Sequence, residues 1–167
     1  TSVELEGDQA ILKEIDITVR GSELIVQFRQ RFNFGFHLNN RRVTVYVTTP
    51  TLDALELSGG SQGKSDKFRT TDLQLTLSGG SQLTLEELDA TTLTSNLSGG
   101  AQLTVRTGAV ETQNVDASGG SRYIAEEVSG EDATLDVSGG SSARIRVATA
   151  LRVDASGGSD IAYHGSP

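Results

Sequence analysis

The stretch Leu73-Gln-Leu-Thr-Leu-Ser-Gly-Gly-Ser-Gln-Leu-Thr-Leu85 decides the fold. Leucine alternates with polar residues on both sides of a Ser-Gly-Gly corner, the period-two signature of strands with one buried face. The tripeptide recurs with its serine at Ser58, Ser78, Ser98, Ser118, Ser138 and Ser156, at intervals of 20, 20, 20, 20 and 18. Twelve of the 19 glycines sit in these six pairs, so the glycine content belongs to a repeat and not to a flexible linker.

Alignment on the serine extends the pattern. One residue before it stand Leu57, Leu77, Leu97, Ala117, Val137 and Ala155; three before it stand Leu55, Leu75, Ser95, Val115, Leu135 and Val153. Five after it come Gly63, Leu83, Leu103, Tyr123, Ala143 and Ile161, and seven after it Ser65, Leu85, Val105, Ala125, Ile145 and Tyr163. Polar residues fill the positions between. Each repeat therefore reads as two short strands joined by a Gly-Gly corner and a polar connection. In the corner, glycine supplies unusual backbone angles and the serine hydroxyl can satisfy a turn amide.

Twenty residues without a helical pattern cannot bury a core alone, but coils stacked on one another can. Stacked strands run parallel, and parallel crossovers are right-handed in nearly all cases. The expected fold is all-β: a right-handed parallel β-helix with coils of about 20 residues, rising about 4.8 Å per coil. A leucine-rich repeat has a similar period, yet Leu85-Glu-Glu-Leu88 and Leu93-Thr-Ser-Asn96 mimic its pattern in one coil only.

Stepping back from Ser58 puts Asn39-Asn40 at a glycine-pair position, with Val43 and Val45 on inward columns. Earlier, Ile15–Val19 and Leu24–Phe28 alternate as strands around a Gly21-Ser22 turn. The expected organisation is residues 1–42 as strands that start and cap the solenoid, and 43–167 as one continuous repeat domain.

Composition narrows the function. The chain of 167 residues has no Cys, which excludes a disulfide framework, thiolate metal sites and a cysteine nucleophile. No apolar run is long enough to span a membrane as a helix. Net charge is −8, and residues 1–50 are balanced at six basic and six acidic, so the whole excess lies in the repeats. That surface repels a phosphate backbone, and no nucleic acid is expected as partner. The chain starts at Thr1, which is the expectation for a processed protein or fragment whose signal sequence has been removed.

The six Ser-Gly-Gly coils, the lead-in Val45-Tyr-Val-Thr-Thr-Pro-Thr-Leu52 and the ending Tyr163-His-Gly-Ser-Pro167 together resemble the auto-transporter adhesin head GIN domain family. The resemblance covers essentially the whole chain. It implies a β-helical, secreted or cell-surface protein with an adhesive role, and it brings no catalytic residues.

Candidate sites come from the outward positions. Asp66, Glu86, Arg106, Glu126, Arg146 and His164 share one column, where the charge alternation from Glu86 to Arg146 predicts ion pairs between coils. Asn96, Asp116, Asp136 and Asp154 share another. Like charges one coil apart repel, so Asp116, Asp136 and Asp154 are weak calcium candidates against the plainer reading of a solvated acidic face. The stretch 29–42 is the most distinctive outside the repeats. Arg29, Arg31, Phe32, Phe34 and Phe36 combine rings and guanidinium groups as a partner-binding or self-association surface does, while capping of the solenoid accounts for the same rings.

A non-enzymatic, adhesin-like protein is therefore expected outside the cell or on its surface, binding a protein or glycan without a cofactor. Two alternatives stay open. One is a polysaccharide-active enzyme using Asp116, Asp136, Arg122 and Arg144; His37 and His164 lie too far apart for a His-based site. The other is a purely structural scaffold or oligomerisation module.

Overall fold

The computed structural model describes residues 1–29 and 43–167, of which 66% lie in strands and 3% in helix. Contacts divide the chain into two compact units, Thr1–Pro50 and Thr51–Pro167.

The first unit holds two antiparallel strand pairs. β1 (Ser2–Glu6) pairs with β4 (Thr44–Thr48), with Glu4 opposite Tyr46. The Tyr46 phenol donates to Glu6 Oε2 at 3.0 Å, and that bond holds the phenol above its ordinary pKa. A one-turn helix, α1 (Gln9–Leu12), follows; Asp8 caps it by accepting from the Ala10 amide at 2.8 Å. β2 (Ile15–Arg20) and β3 (Glu23–Phe28) then form a hairpin. Its two-residue turn is Gly21-Ser22, where Gly21 has φ +62°, as the alternation of the flanking residues predicts. The expectation that Val43 and Val45 continue the inward columns is corrected here. Val45 lies opposite Leu5 in an antiparallel ladder, which a parallel coil cannot provide. Asn39-Asn40 lies outside the described residues.

The second unit is a parallel β-solenoid of about six turns. β5 (Ala54–Leu57), β6 (Gln62–Leu77), β7 (Gln82–Leu97) and β8 (Gln102–Ala117) stack in register, residue i on i+20. The next coil divides into β9 (Arg122–Ala125), β10 (Val128–Ser129) and β11 (Asp132–Val137). β12 (Ser142–Arg146), β13 (Ala150–Ala155) and β14 (Asp160–His164) complete the stack.

Each full coil has three sides, one more than the alternation of the strongest columns predicts. In β7 the buried positions run Leu83, Leu85, Leu88, Ala90, Leu93, Ser95, Leu97. The alternation slips at Glu86-Glu87 and at Thr91-Thr92, where two successive residues face outward. The β6–β7 and β7–β8 ladders are interrupted at these same places, at Glu86 and Thr91. The polar connection is thus itself a strand. Its inward positions are Phe68, Leu88, Gly108 and Val128, then Thr70, Ala90, Val110 and Gly130. Burying Leu88 or Leu93 completely is worth about 1.5–3 kcal/mol, while the next residues in their columns, Gly108 and Gln113, bring no comparable apolar side chain. The shortened last interval removes two residues from this middle side, because Arg146 and Ala150 are separated by only three residues.

The Ser-Gly-Gly corners stack as a ladder of their own. Gly119 has φ +69°, and a Cβ there would lie 2.9 Å from the Gly99 nitrogen, so both conformation and closeness demand glycine. The buried serine is the one after the glycine pair and not the first. The Ser121 hydroxyl donates to the Leu97 carbonyl at 3.3 Å, and Ser141 Oγ accepts from the Ser121 amide at 3.1 Å.

Candidate functional site

The three sides carry different outward chemistry. On the first and middle sides, charges pair with one another. Arg106 Nε lies 3.0 Å from Glu86 Oε2, with Lys64 at 3.4 Å on the other carboxylate oxygen. His164 reaches Glu126 at 3.7 Å. Arg146 leaves the alternating ladder, donating to the Glu126 carbonyl at 3.0 Å and approaching Glu127 at 3.7 Å. Lys67 pairs with Glu87, and Arg69 with Asp89 at 2.9 Å. The hydrogen bond from Arg69 holds the Asp89 carboxyl below the usual carboxylate range. A depression of about 340 Å³ beside this pair also includes Thr91 and Glu111, but its guanidinium and the Asp89 carboxylate already satisfy each other.

The third side differs. Its outward residues are Thr94 and Asn96 on β7, Asn114 and Asp116 on β8, Thr134 and Asp136 on β11, and Arg152 and Asp154 on β13. They stand in register as Thr94–Asn114–Thr134–Arg152 and Asn96–Asp116–Asp136–Asp154. Strand alternation places both columns outward, because Leu93, Ser95 and Leu97 and their equivalents face in. Hydroxyl, amide and carboxylate groups therefore repeat every 4.8 Å or so along the stack. Thr94, Asn96, Asn114, Asp116, Thr134 and Asp136 line a shallow depression of about 200 Å³. Among the described residues none of these six side chains has a hydrogen-bond or ion-pair partner, which leaves their polar groups available to a ligand.

Asp116, Asp136 and Asp154 are brought together as register neighbours, the arrangement that prompted the calcium reading. Among the described residues, however, no group of three or more His, Cys, Asp or Glu side chains is placed to hold a metal ion. Asp116 and Asp136 do not meet Arg122 and Arg144. Those arginines lie on β9 and β12, across the Ser-Gly-Gly corner on another side of the coil. Arg29 closes the β2–β3 hairpin, its Nε 3.2 Å from Asp16 Oδ1. Arg31, Phe32, Phe34 and Phe36 lie outside the described residues.

The Thr94–Asn114–Thr134 column was not singled out from the sequence, though its signal is present four residues before each Ser-Gly-Gly serine. No described helix is long and apolar enough to cross a membrane.

A search of curated proteins and a search of solved structures each return no match. A family model does match, over residues 1–167: putative auto-transporter adhesin, head GIN domain. The chain belongs to that family.

Proposed function

We propose, from this family membership and from the third side of the solenoid, that the chain is a non-enzymatic adhesive module whose binding surface is the Thr/Asn/Asp face of β7, β8 and β11. The observation that carries the reading is the register of Thr94, Asn114 and Thr134 beside Asn96, Asp116 and Asp136. Six polar side chains without partners among the described residues, held on stacked backbone ladders, offer donors and acceptors at fixed spacing. The chemistry that fits is a glycan lying across the coils. Its hydroxyls can bridge a carboxylate or amide on one coil and a hydroxyl on the next, and such contacts gain from a surface already ordered before binding. This role belongs outside the cell or at its surface, where polysaccharides are the available polymers. No cofactor is needed for it.

The test is a binding screen of the purified chain against bacterial and host polysaccharides, with calcium and then with chelator, while polymer length is followed. The expected result is binding without shortening of the polymer. The variant N114A/D116A/D136A should keep its circular dichroism and lose binding at least about tenfold, a change of about 1.4 kcal/mol. Shortening of the polymer would make the enzyme reading primary. Binding that survives the triple variant would move the site off this face.

A further inference from the structure

The third side ends on β13, which pairs with β11 and with no other described strand. Among the described residues its other edge is open. The Ser156 amide donates back to the Val137 carbonyl at 3.0 Å. In a ladder that alternates, Arg152 and Asp154 likewise turn their backbone groups toward β11, leaving those of Leu151, Val153 and Ala155 on the open edge. The same three residues carry the inward side chains. Val153 is 42% exposed, whereas Leu135, its neighbour in the column, is 1% exposed. The core column Val115–Leu135–Val153 therefore stops at an uncovered apolar residue beside unpaired backbone groups, a combination that recruits another strand.

Outward on this strand, Arg152 and Asp154 flank Val153. Among the described residues neither makes an ion pair, and Asp154 has Asp136 beside it. We infer that the open edge of β13 pairs antiparallel with β13 of a second copy of this chain, around a two-fold axis at Val153.

This register satisfies every position at once. Val153 meets the partner's Val153, and Leu151 meets the partner's Ala155, so inward residues stay inward. Arg152 meets the partner's Asp154, and the reverse contact repeats it, giving two opposite-charge cross-strand pairs. Open-edge backbone groups of Leu151, Val153 and Ala155 face their counterparts as hydrogen-bonded pairs. Centring the pair on Arg152 or on Asp154 would set like charges against each other. Centring it between residues would set inward side chains against outward ones. Centring it on Leu151 or Ala155 would keep inward residues inward but leave Arg152 and Asp154 without opposite charges, so Val153 is the one centre at which the strand complements its own charges, as a two-fold interface between identical chains requires.

Sedimentation equilibrium of the chain Thr1–Pro167 at physiological ionic strength should show a monomer–dimer equilibrium. R152D and D154R should each weaken association at least about tenfold, and the double variant R152D/D154R should restore it, because the reciprocal pairs reform with signs exchanged. Both side chains are exposed, and circular dichroism of each variant checks that the fold is kept. On the unsubstituted chain, amide hydrogen exchange at Leu151, Val153 and Ala155 should slow as protein concentration rises. A monomer at every concentration would overturn the inference. So would a dimer indifferent to the single reversals, open-ended oligomers that signal head-to-tail stacking, or exchange at those three amides that ignores concentration.

Discussion

Tyr123 and Gln113, both fully buried, are joined across the interior of the solenoid: the phenol donates to Gln113 Oε1 at 2.8 Å. The amide nitrogen of Gln113 in turn donates to the Arg146 carbonyl at 3.5 Å. A polar link thus runs between coils inside an interior whose other buried residues are mainly Leu, Val, Ile and Ala, with a few serines. Y123F leaves the Gln113 oxygen without its donor, and Q113L leaves the phenol without an acceptor. Each should cost about 1–3 kcal/mol in urea unfolding. The double variant should cost less than the sum, since two apolar groups leave nothing unpaired. Additive losses would mean the bond is not formed in solution.

The same burial pushes the Tyr123 phenol far above its ordinary pKa. The folded chain binds this proton more tightly than the unfolded one, so the stability it brings is complete below the ordinary tyrosine pKa of about 10 and falls away as pH rises past it. Alkaline titration should therefore release the Tyr123 phenolate only together with loss of circular dichroism. Y123F should unfold at a less sharply pH-dependent midpoint above pH 10 or so. A third phenolate appearing in a still-folded chain would contradict the burial.

Gly108 breaks the β8 run with φ +126°, and a Cβ there would collide with the Leu88 carbonyl oxygen of the coil below. G108A should cost about 4 kcal/mol or more. Gly120, at φ +84° with open space around it, is the comparison. G120A should cost only the conformational term, about 1–2 kcal/mol. Equal losses would show that backbone angle alone, and not the closeness of stacked coils, sets the demand for glycine.

Asp136 stands between Asp116 and Asp154 in register. D136N removes two like-charge contacts and should raise stability by a few tenths to about 1 kcal/mol at low ionic strength. The gain should shrink at about 1 M salt, where screening acts within 3 Å or so. A loss of stability on this substitution would reveal a favourable carboxylate contact, with added calcium as the next variable.

Much of the solenoid was legible in the chain because its code is local. The columns Leu55–Leu75–Ser95–Val115–Leu135 and Leu83–Leu103–Tyr123–Ala143 repeat apolar residues at fixed spacing, interrupted only by Ser95, and they form inward ladders as read. The middle side was not legible. Its inward positions mix Phe68, Leu88, Gly108 and Val128, so spacing persists while hydrophobicity lapses, and Thr, Asp and Glu around it suggested a loop. Val45 was misplaced because a β-strand alternates in the same way whether its neighbour is parallel or antiparallel. The Asp116–Asp136–Asp154 column was visible from the sequence, but the neighbouring Thr94–Asn114–Thr134 column gained meaning only when both proved to share one side.

The period, the strands beside each corner and the need for glycine in the corners are determined by the sequence itself, since each follows from residues within a single coil. The tertiary structure alone decided that β4 pairs back onto β1, that Tyr123 finds Gln113, and that Arg122 lies on a different side from Asp116. Those outcomes depend on where the chain turns. The turns at Glu86-Glu87 and Thr91-Thr92 are set by the packing of stacked coils, which no single repeat can express.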